Sequence, residues 1–115
     1  MLAAPNRLRA SADFADVISH GARVGRPTLV VHARRCEETA TKVGFVVSRA
    51  VGGAVIRNRV KRRLRALARP LVSGEAQQCY HVVVRALPGS VAQPGRLAED
   101  LVDAWALATA KAGLS

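Results

Sequence analysis

A chain of 115 residues that is half hydrophobic, with a net charge of +10 and a pI near 11.4, has room for a single domain and its own core. That composition excludes an intrinsically disordered chain, and no apolar run approaches the roughly 20 residues of a membrane span. The charge asks for a polyanionic partner, nucleic acid first and an anionic membrane surface second. Arginine outnumbers lysine 15 to 3. The guanidinium suits bidentate phosphate contacts, and the coding bias of a GC-rich genome gives the same ratio.

The first ten residues read as irregular and basic, without the apolar stretch of a signal peptide. "SADFADVISHG" reads as a short helix, with Ser11 as N-cap, Asp13 at the positive end of the dipole and Gly21 as the C-terminal turn. Phe14, Val17 and Ile18 fall on one face of it. Residues 28–35 and 42–48 read as strands. The polar "EETAT" between them predicts an antiparallel hairpin. Thr28, Val30 and His32 share one side of the first strand, and Val43, Phe45 and Val47 one side of the second.

After Gly52-Gly53 the spacing predicts a helix over 54–69, closed by Pro70. Ile56, Val60, Leu64 and Leu67 form its apolar stripe. Arg57, Lys61, Arg65 and Arg69 flank that stripe, and Arg59, Arg62 and Arg63 carry the charge around the far side. A polar loop over 73–78, a strand over 79–87, a turn-rich "PGSVAQPG" and a helix over 95–112 complete the chain. Leu97, Leu101, Ala104, Trp105 and Ala108 line that last helix. The order is αββ(β)αβα, the bracket allowing one further short strand. Helices and strands without a βαβα rhythm make an α+β fold, an α-β sandwich of a small mixed sheet with helices.

The basic helix is the first functional candidate. Like charges four residues apart destabilise an isolated helix, and an ordinary solvated face mixes signs. A row this uniform is explained by a polyanion whose binding releases counterions. A helix-turn-helix is disfavoured, because a strand and two glycines precede the helix. With only Phe14, Phe45, Tyr80 and Trp105 as aromatics, backbone contacts should outweigh base stacking. Catalytic chemistry is hard to assemble. His20, His32 and His81 form no metal motif, and packed or half-exposed sheet histidines account for the latter two. Cys36 and Cys79 are too few for a thiolate zinc site and read as reduced thiols in the cytoplasm. "GGAVIRNR" lacks the GK[ST] ending of a phosphate loop.

At "GGAVIRNRVKRRLR" the sequence resembles the protein subunit of bacterial ribonuclease P. The family pattern G-x-A-V-x-R-N-R-x-K-R-x-x-R is met by Gly52, Ala54, Val55, Arg57, Asn58, Arg59, Lys61, Arg62 and Arg65. "RLRASADFADVISHG", "KVGFVVSR" and "VVVRALPG" extend the resemblance over most of the chain.

The resemblance implies a left-handed β-α-β crossover through the basic helix, against the usual right hand. It implies a protein that binds a large catalytic RNA, one protein per RNA, and with it removes the 5′ leader of precursor tRNA. No catalytic residue is expected in the protein, and Mg²⁺ is expected to be held mainly by the RNA. Arg49, Arg57, Asn58, Arg59, Lys61, Arg62 and Arg65 would contact that RNA. Phe14, Ile18 and His32 would line a leader cleft. Ile18 and His32 stand where relatives carry aromatics, Ala50 where a lysine is common, and Gly53 where a polar cap is usual. Two other classes fit the residues: a ribosome-associated RNA-binding protein, and a protein-only nuclease using an acid such as Asp13 or Asp16.

Overall fold

The computed structural model describes residues 6–37, 40–72 and 79–114. Its elements are α1 (Ser11–His20), β1 (Ala22–Gly25), β2 (Leu29–Cys36), β3 (Lys42–Val46), α2 (Ala54–Val72), β4 (Cys79–Ala86), α3 (Gly89–Ala92) and, after a 3₁₀ turn at Pro94–Arg96, α4 (Leu97–Gly113). A further short strand is present as β1, but it lies ahead of the two predicted strands and not after them as the bracket had it.

The sheet order is β1-β2-β4-β3, antiparallel except for the parallel β3–β4 pair. This corrects the predicted hairpin, because β4 lies between β2 and β3. Length explains it. β2 and β4 each have eight residues and pair along all of them, from Leu29↔Ala86 to Cys36↔Cys79. The five-residue β3 offers β2 a shorter ladder and goes to the edge. There the chain start covers it. Arg7 bridges to Val43, the Leu8 N–H donates to the Val43 carbonyl at 3.0 Å, and the Asn6 amide donates to the Thr41 carbonyl at 2.9 Å. An edge strand with a capped ladder is a poor template for aggregation.

Side chains alternate across the sheet. Val31, Val43, Val82 and Val84 enter the main core with Val60, Leu64 and Ala68 of α2 and Leu97, Leu101, Ala104 and Ala108 of α4. Val83 points to the other face and meets Leu8 and Val17 in a smaller cluster under α1. A β-branched strand buried on both faces belongs in a sheet interior.

Four helix details differ from the sequence reading, the first being that the turn-rich "PGSVAQPG" holds α3 and runs into the 3₁₀ turn. Ala10, not Ser11, is the N-cap of α1, without a side-chain bond. Gly21 is extended rather than left-handed, and its role is space. A Cβ there would sit 2.5 Å from the Val17 carbonyl oxygen and 2.7 Å from that of Ala33. α2 continues through Pro70 to Val72, and its buried stripe is Val60, Leu64, Ala68 and Val72. Ile56 lies before that stripe and is 38% exposed, since the first turn of α2 extends past the core.

One polar contact deep in the molecule fixes α4 against the turn before β2. Asp100 is 1% exposed and accepts from the Thr28 hydroxyl at 2.7 Å and the Thr28 N–H at 3.2 Å. Arg96 stands 3.7 Å from its other oxygen. The anchor sits in the first turn of α4, beside the acidic Glu99.

Candidate nucleic-acid interface

α2 carries no acidic residue over its 19 positions. Docking by Val60 and Leu64 turns the opposite arc outward, so Asn58, Arg59, Arg62, Arg63, Arg65 and Arg69 are exposed. Arg57 and Lys61 flank the buried stripe and are half-buried, and the Arg57 Nε has no hydrogen-bond partner. Arg49 is exposed in the turn that leads from β3 into α2. Among the described residues, Arg57, Asn58, Arg59, Arg62 and Arg65 form no ion pair. A run of cations that, over these residues, lacks counter-charges of its own is built to be neutralised from outside.

The second surface is the sheet face beneath α1. The register sets Arg23, His32, Val83 and Gly44 in one row, and Gly25, Val30, Arg85 and Val46 in the next. α1 lies across this face, pinned by the Asp16 carboxylate to Arg34 of β2. Phe14 rests on Gly44, where an added Cβ would come within 2.1 Å of the ring. Gly44 thus serves as the platform for the aromatic. Ile18 faces outward and is partly exposed.

His32 behaves differently from the other two cleft residues. It is 2% exposed, and neither ring nitrogen has a hydrogen-bond partner. No accessible ring face is offered for stacking, so the ring sits under the cleft as part of its floor. Burial first, then the charges of Arg85 and Arg23, lowers its pKa from 6.5 and keeps the imidazole neutral near pH 7. A base neutral in the fold but free to protonate when unfolded gives stability present above pH 6.5 and lost as pH falls toward the lowered value. Urea denaturation at pH 7.5 and 5.5 should therefore show weakening at the lower pH. His32→Leu should flatten that difference, and an unchanged pH dependence would refute the assignment.

The two surfaces meet at a pocket of about 340 Å³ around the β3 edge, lined by Arg7, Arg9, Phe14, Gly44, Lys61 and Arg65, among others. The strap over β3 thus carries positive charge from the helix to the cleft. Sequence reasoning missed Arg7, Arg9, Arg23, Arg85 and Gly44. The period-2 alternation from Val83 would have placed Arg85 on this face, whereas Arg23 needed the β1–β2 register. Cys36 and Cys79 lie directly opposite each other across β2 and β4, a proximity that sequence could not give.

A family model described as Ribonuclease P matches residues 2–109. The chain is 54% identical over 105 residues to the ribonuclease P protein component of Nocardioides sp., with 88% of this chain and 89% of the relative covered. It is 51% identical over 111 residues to that of Streptomyces avermitilis, with the same coverage. In fold it is similar to a Staphylococcus aureus RNase P protein mutant, with a TM-score of 0.81 at 23% identity over 91% of this chain and 89% of the other. The RNase P protein of Thermotoga maritima gives a TM-score of 0.72 at 26% identity, covering 84% and 92%. With the family pattern complete over residues 52–65 and the matched region spanning nearly the whole sequence, the chain belongs to the ribonuclease P protein family.

Proposed function

We propose that α2 docks the protein on the ribonuclease P RNA while the α1 cleft holds the 5′ leader of precursor tRNA. In this reading one protein serves one RNA in the cytoplasm. Arg49, Arg57, Asn58, Arg59, Lys61, Arg62 and Arg65 contact the RNA backbone. Phe14 and Ile18 meet leader bases, Arg23 and Arg85 steady leader phosphates, and His32 supports the floor. Mg²⁺ is assigned to the RNA, whose phosphates offer the hard oxygen ligands that the ion takes. The protein contributes position and charge, and hydrolysis belongs to the RNA.

The observation that carries this reading is the continuous cationic path. The acid-free arc of α2 passes through Lys61 and Arg65 to Arg7, Arg9 and Phe14. A ribosome-associated protein needs the arc but has no use for a cleft joined to it.

The test is cleavage of a leader-bearing precursor tRNA at low Mg²⁺ by a bacterial ribonuclease P RNA, with and without the protein. Cleavage is expected only with both. Phe14→Ala should weaken binding of the leader-bearing substrate by roughly tenfold, the scale of one lost base contact, and leave mature tRNA unaffected. Gly44→Ala should act in the same direction, because its Cβ displaces the Phe14 ring. Equal losses on both substrates would remove the cleft from the leader path.

A further inference from the structure

We infer that the pocket between α2 and α3 receives an unstacked nucleotide of the catalytic RNA, its base against the apolar walls and its phosphates on Arg59 and Arg63. The inference rests on the reading of α2 as the RNA-docking helix and adds a base-sized site to it.

The pocket measures about 270 Å³ and is walled mainly by Ile56, Val60, Val91, Pro94 and Leu97. Val60 and Leu97 are buried and form the floor. Ile56 from α2 and Val91 from α3 are 38% and 43% exposed and form the sides. Arg59 and Arg63 also line it, one helical turn apart. Neither has an acidic partner among the described residues.

The backbone maintains this shape. Gly52 has a φ of +158°, and a Cβ on it would meet the Ile56 side chain at 2.9 Å. Only glycine there lets Ile56 pack against the turn. On the other side, Gly89 lies so close to the Pro27 carbonyl oxygen that an added Cβ would stand 2.1 Å from it. That contact seats α3, and Val91 with it.

Charge decides the occupant. An apolar protein segment would gain from the walls but would leave two guanidinium groups facing it without a counter-charge. A membrane surface would meet a recess rather than a protruding apolar edge. A nucleotide swung out of a helix supplies both halves, a flat apolar face and flanking phosphates. The volume lies just below the roughly 300–1,000 Å³ of sites for larger small molecules, which suits a single base. The pocket also adjoins Arg59 of the family pattern, so RNA seated on the arc passes its mouth.

The test uses Ile56→Ser and Val91→Ser, singly and together. Both positions are partly exposed, and neither change alters charge. Dissociation constants for a bacterial ribonuclease P RNA would be measured over a salt series. Ultraviolet cross-linking would then map the RNA-bound peptide. Each single change should weaken binding by about threefold and the pair by about tenfold, at every salt concentration and with an unchanged salt slope. The wild-type cross-link should fall within residues 89–97 and vanish in the double variant. Wild-type affinity in the double variant, or a cross-link elsewhere, would overturn the pocket while leaving the docking helix in place. A wild-type protein that does not bind the RNA would overturn both.

Discussion

Replacing Arg59, Arg62 and Arg65 together by alanine weakens binding to the ribonuclease P RNA by roughly a hundredfold near physiological salt and lowers the salt slope by about two to three. All three are exposed on the outward arc of α2, so the fold should survive their loss. Removing like charges from one helix face also relieves repulsion within it. The free protein should therefore unfold at the same or slightly higher urea concentration. Lysine at the same three positions separates charge from shape. It restores the slope and leaves affinity incomplete, because an ammonium lacks the planar fork of a guanidinium. An unchanged slope in the alanine variant would mean that these side chains do not meet phosphates.

The second large effect is on stability. Asp100→Ala leaves the buried Thr28 hydroxyl and N–H without their acceptor, at about 1–3 kcal/mol for each unsatisfied group. A total of about 2–6 kcal/mol is a large share of the 5–15 kcal/mol that typically holds a domain together. Asp100→Asn keeps one oxygen acceptor and should cost less. Urea denaturation at pH 7 checks both. A loss below 1 kcal/mol for the alanine variant would show that the Thr28 groups find another partner. RNA binding should remain intact in whatever fraction stays folded, since Asp100 lies away from the arc of α2.

Local pattern made much of this molecule legible. The stripe Leu97, Leu101, Ala104, Trp105 and Ala108 is buried as its spacing requires, because a long amphipathic helix carries its own periodicity. The exposed arc of α2 followed from Val60 and Leu64 in the same way. Partner choice between strands did not, because alternation says which side chains share a face but not which strand lies alongside. β2 and β3 looked like hairpin partners for that reason, while the eight-residue ladder to β4 decided the pairing. The cleft suffered most from this gap. Phe14 was legible as an aromatic on a short helix, but its platform at Gly44 and the Arg23–His32 row depend on register. Alternation grouped His32 with Val30 on one side of its strand and the resemblance put it in the cleft, but only the packing shows that its ring is covered.

The position of β4 also bears on how the chain comes together during synthesis. The ribosome releases β1, β2, β3 and the whole of α2 before the strand that joins β2 to β3 exists. Until residue 86 is free, the nascent chain has one short hairpin, an orphan strand and a strongly cationic helix whose apolar stripe has no sheet to cover. Arrival of the valine-rich β4 is the event that completes the sheet, and α4 then closes it through a contact 72 residues distant in sequence. Fragments that stop before β4 should remain unfolded, so assembly of this small domain waits until β4 and α4 have been made.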